Sequence, residues 1–587
     1  MAEAVGLDFV HFNGMSGEFY FPEIMPPGAG LLDYDNDGDL DVYFVQGTML
    51  GRGRTLDQAL LPPQGTLPPK GRLFRNDLKV QEDGSRTLRF TDVTDRSRID
   101  ARGYGMGVAA GDIDNDGWVD LYLTNVGPDQ VLRNNGDGTF TDVSKRAGTD
   151  DPGWGVSAAF LDYDRDGWLD LYVGNYVHYT AATDISCPGL AGGQDYCPPR
   201  VYRAQPDRLY HNEGKGRFID VTDTALVGRV FGPALGVSTA DFNGDGWTDI
   251  YVANDGQENL LWINQRDGTF KNTALVSGVA LTADGKAEAS MGVDAGDFDN
   301  DGDDDLFMTE LSDEGMNLYV NDGSATFEDL SARSGLGPSS LGYTGFGAAW
   351  FDFDNDGWLD ILSVNGTVEA IEGKQDSRDG SRFPYDQRKL LFRNLRNGRF
   401  EEVSSQAGVV FRTSEVGRGA AFGDIDNDGD VDVLVANNSG RAQLLVNNVG
   451  SRSHWLGLRL VGGRIARDML GAQIAIVRPS TRSASSGSMV SSVEPSTSSG
   501  RPEPVEGRDM LGAQLGVVRK NVPTMWRRVR SDGSYASAND PRVLVGLGDL
   551  AEAPDVRVRW PSGRVEEWTG VAIDQWITLT EGRGTKF

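Results

Sequence analysis

Seven times the chain repeats the pattern D-x-D/N-x-D-G-x-x-D, and nothing else in it constrains the fold so strongly. The first copy, DYDNDGDLD, packs five carboxylates into nine residues. Like charges this close need a compensating partner. Positions 1, 3, 5 and 9 of the copies are Asp33, Asp35, Asp37 and Asp41; Asp112, Asp114, Asp116 and Asp120; Asp162, Asp164, Asp166 and Asp170; Asp241, Asn243, Asp245 and Asp249; Asp297, Asp299, Asp301 and Asp305; Asp352, Asp354, Asp356 and Asp360; Asp424, Asp426, Asp428 and Asp432. Successive copies start 79, 50, 79, 56, 55 and 72 residues apart, the mark of an array of supersecondary units.

Oxygens at positions 1, 3 and 5 of a tight loop can converge on one hard cation. Gly at position 6 permits the sharp turn, position 7 can offer a carbonyl, and position 9 closes the cage. An all-oxygen donor set suits Ca²⁺, and the absence of Cys and His from the loops argues against Zn²⁺ and Cu²⁺. An EF-hand is excluded because position 12, which should be a bidentate Glu, is Phe44, Leu123, Val173, Val252, Met308, Ser363 or Val435. The residues after each loop, such as LDVYFVQG and VDLYLTNV, are β-branched and aromatic and predict a buried strand. Asp-Gly clusters can also be plain turns. With 27 of the 28 positions Asp and the last an Asn, the reading that accounts for the repetition is a calcium hairpin, up to seven Ca²⁺ in all.

A second motif comes after each loop, as in QVLRNNGDGTFTDVS and RLYHNEGKGRFIDVT, and reads as strand, turn, strand. A Gly-rich apolar piece such as GYGMGVAAG precedes each loop. One unit then supplies about four strands, and the seventh stops early, after QLLVNNVG. The expected fold class is all-β: a seven-bladed β-propeller with calcium-binding hairpin loops, whose radial closure leaves few free edges, followed by a small β-domain.

These units resemble the FG-GAP/VCBS repeats of integrin α-subunit propellers over about residues 7–450, which implies a propeller with calcium hairpins on one face. Past 450 the motif ends and the chain turns more basic. HWLGLRL, RDMLGAQ, SDGSYASANDPRVLVGLG and VRVRWPSGRVEEW resemble the ASPIC/UnbV domain, so that the whole is similar to bacterial relatives of cartilage acidic protein. The expected domains are residues 1–450 and 451–587. RDMLGAQ occurs at 467–473 and again at 508–514, each time leading into an apolar run. The Ser/Pro/Gly-rich stretch between them, about 474–507, reads as a disordered insertion. Residues 508–519 continue directly toward WRRVRSDGSY, and their shorter sequence distance makes them the preferred strand.

Three long spacings place inserts at 50–71, 176–207 and 366–388, with the Pro and Gly content of surface loops. The middle one carries the only two cysteines, Cys187 and Cys197. A metal pair or two free thiols are open alternatives, but a disulfide is the preferred reading and would mean an oxidising compartment.

The net charge of −32 argues against nucleic acid. No apolar run approaches membrane-spanning length, and no signal peptide is visible at the start. The resemblance implies an extracellular, periplasmic or cell-envelope protein. No nucleophile elbow, HExxH or P-loop occurs, and of the four His, His211 stands where other units have Arg or Val, which suggests packing or exposure. The preferred function is a binding or adhesion module for a protein or glycan ligand. The alternative is a calcium-dependent polysaccharide lyase or hydrolase with its site in the inserts.

Overall fold

The computed structural model describes residues 2–189, 194–370, 384–463, 467–477 and 524–587. Seven sheets succeed one another along the chain, antiparallel except where Leu226–Val227 pairs in parallel with Phe270–Asn272 in the fourth. Their first strands are Ala29–Leu32, Gly105–Gly111, Gly155–Leu161, Ala234–Ala240, Val293–Gly296, Gly345–Phe351 and Gly417–Gly423. Each pairs with a strand that begins at the position-9 Asp of a repeat loop, in the register Leu32↔Asp41 in the first sheet and Gly423↔Asp432 in the last. The loops are therefore strand-to-strand hairpins, as the β-branched runs after them require.

Neighbouring first strands touch in order, and the seventh touches the first, closing a ring. The seventh sheet has three strands. Beside it, Ala442 N–H donates to the Phe9 carbonyl (3.0 Å) and His11 N–H to that of Gly440 (3.0 Å), so the N-terminal segment meets the last sheet. The architecture is all-β and propeller-like, and closure leaves no long free edge.

One asparagine per unit staples each sheet to its predecessor. The Nδ2 groups of Asn76, Asn134, Asn212, Asn264, Asn321, Asn394 and Asn447 donate to the position-2 carbonyl of the preceding unit's loop, at 2.8–2.9 Å. Asn76 donates to Ile425, which joins the first unit to the seventh. These buried amides satisfy carbonyls that the hairpin turns away from its own ladder.

A second chain of bonds joins the loops themselves. The position-4 residue is left-handed in all seven, with φ between 53° and 67°. Asn36, Asn115, Arg165, Asn300, Asn355 and Asn427 each donate to the position-6 glycine carbonyl of the next loop: Gly117, Gly167, Gly246, Gly357, Gly429 and Gly38. Asn both tolerates the left-handed region and carries the donor. The chain of bonds is interrupted only after Gly244 in the fourth loop, which has no side chain to donate.

The axis of the ring is filled by residues 531–540 of the C-terminal region. Ala538 pairs with Gly30 of the first strand set, and Ala536 accepts from Val108 N–H (3.1 Å) and donates to Ser157 Oγ (3.0 Å). Asp532 Oδ2 accepts from Thr239 N–H, and the Ser534 carbonyl from Val293 N–H (3.3 Å). Ser534 Oγ links Ala348 and Ala420. One short segment thus bonds to the first strand of every sheet. Tyr535 is fully buried, with its hydroxyl on the Met25 carbonyl (3.1 Å) and its ring edge-on to Phe346. This crowding explains the glycine-rich first strands: a Cβ on Gly107 would stand 2.5 Å from the Val156 carbonyl oxygen and 2.8 Å from that of Ala536.

The C-terminal strands form two sheets, one ordered Val543–Gly548, His454–Val461, Trp576–Thr580, the other Met525–Arg528, Gln473–Val477, Asp555–Arg559, Val565–Trp568, Thr585–Lys586. Sequence distance favoured residues 508–519 for this sheet, and they lie outside the described residues. The seat between Met525–Arg528 and Asp555–Arg559 is taken by Gln473–Val477 of the first RDMLGAQ copy, with Ile474 and Ile476 buried. Residues 474–477 are thus core strand and not insertion. A short sequence distance did not decide the contest; Met469, Leu470 and Ala472 of the same copy are also buried in this core. The second copy and the rest of the expected insertion lie outside the described residues.

Candidate metal centres

The first loop shows how seven local sequences build one geometry. Left-handed Asn36 and Gly38 (φ 56° and 94°) fold the chain back on itself. Asp33 then receives the N–H groups of Asp37 (3.0 Å) and Gly38 (3.2 Å), and Asp37 receives that of Asp39 (3.0 Å). Ligand atoms of Asp33, Asp35 and Asp37 come within 4.8 Å of one another, as do those of Asp162, Asp164 and Asp166, of Asp297, Asp299 and Asp301, and of Asp112, Asp114 and Asp120. Each of these clusters can hold a metal ion. In the fourth loop Asn243 engages Asp245, as acceptor from its N–H (3.1 Å) and as donor to its carboxylate (3.0 Å).

Position 9 has a second duty. Asp41 accepts from Tyr34 N–H (3.0 Å) and Asn76 N–H (2.8 Å), and the same pair of bonds recurs at Asp120, Asp170, Asp249, Asp305, Asp360 and Asp432. This buried carboxylate ties its loop to the third strand of the same sheet. Position 3 is the contrast. One carboxylate oxygen of Asp35, Asp114, Asp354 and Asp426 is buried with no hydrogen-bond partner. A buried carboxylate oxygen without a donor is costly, and a hard cation meets that need with all-oxygen coordination.

Electrostatics agree. Burial first, and then repulsion from neighbouring loop carboxylates, pushes Asp112 and Asp241 up to about 6, Asp352 to about 7 and Asp424 to about 8. Cations lean on the loops from the third strands. Arg133 pairs with Asp114 and Asp116, Arg393 with Asp354 (2.9 Å), and His211 Nδ1 lies 3.1 Å from Asp170 and 3.4 Å from Asp164. The Asp170 hydrogen bond raises the His211 pKa to about 9. Sequence placed His211 in register with those arginines but missed its pairing with the loop; the shared register was the available signal.

The C-terminal region lies over the loops. Arg467, Arg527 and Arg542 donate to the position-6 carbonyls of Gly167 (3.0 Å), Gly357 (3.1 Å) and Gly38 (3.3 Å). Arg459 lies 3.6 Å from Asp33. On the opposite face Cys187 and Cys197 form the expected disulfide. It lies next to Tyr196, whose hydroxyl donates to the buried Glu23 (3.0 Å), and Asp195 in the same insert accepts from Tyr385. Among the described residues no helix is long and apolar enough to cross a membrane.

A closed ring of acidic hairpin sheets with a C-terminal β-region defines a class of repeat protein. The FG-GAP-like repeat pattern matches residues 112–173, 201–252, 241–308, 297–363 and 383–455, just over half of the chain. The chain belongs to the FG-GAP-like repeat family, and residues 504–586 match the ASPIC and UnbV domain. That match begins upstream of the second RDMLGAQ copy.

Cartilage acidic protein 1 of Xenopus tropicalis is 28% identical over 209 residues, covering 33% of this chain and 29% of that protein. The Mus musculus protein is 29% identical over 199 residues, covering 32% and 28%. The matched stretch therefore spans under a third of these relatives' length. Among solved structures, an Agrocybe aegerita lectin that recognises non-reducing terminal N-acetylglucosamine aligns at 16% identity, covering 59% of this chain and 83% of its own, TM-score 0.32. A rhamnogalacturonan lyase aligns at 13%, covering 73% and 90%, TM-score 0.28. Likeness at this level says nothing of ligand or reaction.

Proposed function

We propose that the protein is a calcium-stabilised binding module, with up to seven Ca²⁺ in the repeat loops, that engages a protein or glycan outside the cytoplasm. Residues 1–450 form the repeat domain and 451–587 the domain that caps it. The observation that carries the calcium reading is the partnerless buried oxygen at position 3 in four loops. The 28 Asp and Asn side chains named from sequence would hold the ions, position 9 through lone pairs left free by its two backbone bonds. Bound calcium would supply the positive charge that lets the three or four ligand carboxylates of each loop stay ionised together.

Two observations support the rest. The disulfide favours an oxidising compartment. The loop face lies under the C-terminal region and the axis is filled, which leaves the opposite, insert-bearing face for a ligand. Loops positioned by a rigid scaffold are where such function concentrates.

The first test is chelation. Linkage stabilises by about 2.7 kcal/mol per site at a hundredfold excess of ligand over Kd, and extracellular modules bind at about 10⁻⁴ to 10⁻³ M. The melting temperature in millimolar calcium should fall markedly on adding a chelator. An unchanged melt, with a metal-free protein by mass analysis, refutes the reading. A glycan array run beside a turnover assay on acidic polysaccharides separates binding from catalysis.

A further inference from the structure

Five residues after the position-9 Asp, each unit places a buried side chain at the far end of the second strand. In six units it is an amide: Gln46, Asn125, Asn175, Asn254, Asn365 and Asn437, none more than 7% exposed. Its nitrogen donates to a backbone carbonyl, for example Gln46 to Val10 (3.1 Å), Asn254 to Glu258 (2.7 Å), Asn365 to Arg388 (2.6 Å) and Asn437 to Arg441 (2.8 Å). In the fifth unit the residue is Glu310, 2% exposed. A carboxylate cannot make that bond, so the substitution is not conservative.

Glu310 does not stand alone. Its Oε1 accepts from Ser290 Oγ (3.2 Å) and Asn317 Nδ2 (3.1 Å). The same Asn317 nitrogen donates to Glu288 Oε2 (2.9 Å), so two carboxylates face each other across one amide. Glu314 is tied alongside, accepting from the N–H groups of Ala289 (3.1 Å) and Leu311 (3.3 Å). The charged neighbours acting on Glu310 are Glu288, Glu314 and Asp255, all acidic. Its Oε2 is buried without any hydrogen-bond partner. Water can solvate one such oxygen, but it does not offset three carboxylates gathered from two separate segments.

We propose that Glu288, Glu310 and Glu314 hold a divalent cation, an eighth site built differently from the repeat loops and lying at the other end of the strand. Five residues of strand put it about 17 Å from Asp305, so it is no part of the fifth loop. The ligands are hard oxygens, which selects Ca²⁺ over thiophilic metals. The site borders the mouth pocket on the insert-bearing face, whose lining includes Asp255, Ala289, Leu311 and Glu314 and whose volume is about 270 Å³. A cation there would add a second positive centre to a pocket whose charged lining residues are Asp255, Glu314, Glu369 and Arg200. The inference does not rest on the calcium reading of the loops.

Native mass spectrometry of the full chain in Ca²⁺ counts the ions directly. Glu310→Gln should carry one ion fewer than the unsubstituted protein, and Asp35→Ala, in the first loop, should remove a different one, so that the double variant lacks two. If Glu310→Gln folds poorly, the less buried Glu288→Gln gives the same count. A Glu310→Gln protein with the full complement of ions and an equal or higher melting temperature overturns the proposal, because Glu310 is then a neutral acid. Loss of an ion in Glu310→Gln but none in Asp35→Ala sinks the loop reading and leaves this one standing; the reverse pattern sinks this one alone.

Discussion

The two faces of the ring are built on opposite principles. The loop face is assembled by repetition. Seven asparagine staples, seven pinned position-9 carboxylates and six loop-to-loop bonds recur with the sequence period. The opposite face keeps one repeated feature, the buried amide of six units, and adds to it what does not repeat: the N-terminal segment, the disulfide-bearing insert, Tyr385 and the single Glu310. Repetition gives a closed scaffold whose strength is shared, so that no one bond carries it. Departures from repetition give individual chemistry, and each buried charge there must find its own compensation. Between the faces runs the 531–540 segment, which touches all seven sheets.

The axial segment tests this contrast most severely. Tyr535 fills the axis and has no counterpart by symmetry. Truncating a buried aromatic costs about 3–5 kcal/mol through lost burial and the cavity left behind. Tyr535→Ala should lower stability by that order, measured by denaturant unfolding, with ring and C-terminal strands lost in one transition. Two resolved transitions, with the ring unaffected, would mean that the ring stands on its repeated bonds alone and that the axial segment is only a passenger.

The insert-bearing face also predicts a pH dependence. Burial raises the Glu23 pKa from 4.5 to about 8, opposed by the Tyr196 hydrogen bond. The folded protein then keeps a proton on Glu23 that the unfolded chain gives up above about 4.5. Between these values the unfolded state binds fewer protons, so stability falls as pH rises, by up to about 1.4 kcal/mol per pH unit. Below 4.5 and above about 8 this group contributes no slope. Glu23→Gln mimics the protonated form, and its stability measured from about pH 5 to 8 should decline less steeply than that of the unsubstituted chain. Parallel curves would show that Glu23 is ionised in the fold and compensated by something else.

The repeated face was largely legible in the sequence, and the reason is statistical as well as chemical. Seven spaced copies of DxD/NxDG and the β-branched runs after them defined hairpins, strands and an all-β ring. What periodicity could not reveal was partnership between copies. The asparagines of RNN, HNE and INQ read as turn residues, yet their amides reach the preceding sheet. Position 4 holds no ligand and carried no signal in the sequence; its left-handed backbone and donor are what join adjacent loops. SDGSYASAND gave no sign in the sequence of its place on the axis, because only the closed ring creates the axis it fills. The two RDMLGAQ copies offered the same strand twice; the described sheet seats the first, while the ASPIC and UnbV match takes in the second.

The smallest expected effect concerns whether repetition itself stabilises. The loop-to-loop chain is interrupted at Gly244, whose φ is 67°. In five other units Asn occupies this position with φ from 53° to 59° and donates to the next position-6 carbonyl. Gly244→Asn should restore the missing link, from its amide to the Gly302 carbonyl. It keeps a backbone conformation that Asn tolerates and removes some of the freedom glycine has when unfolded. Against these gains stands the modest strain of a left-handed Cβ. The net should be a stabilisation of about 0.5–1 kcal/mol, the usual worth of one hydrogen bond, read as a small upward shift in melting temperature. Calcium binding should be unchanged, since position 4 supplies no ligand. A melting temperature that falls would mean that the fourth and fifth units are held apart by something the other pairs lack. The neighbouring departure at Glu310 in that same fifth unit would then be the first place to look.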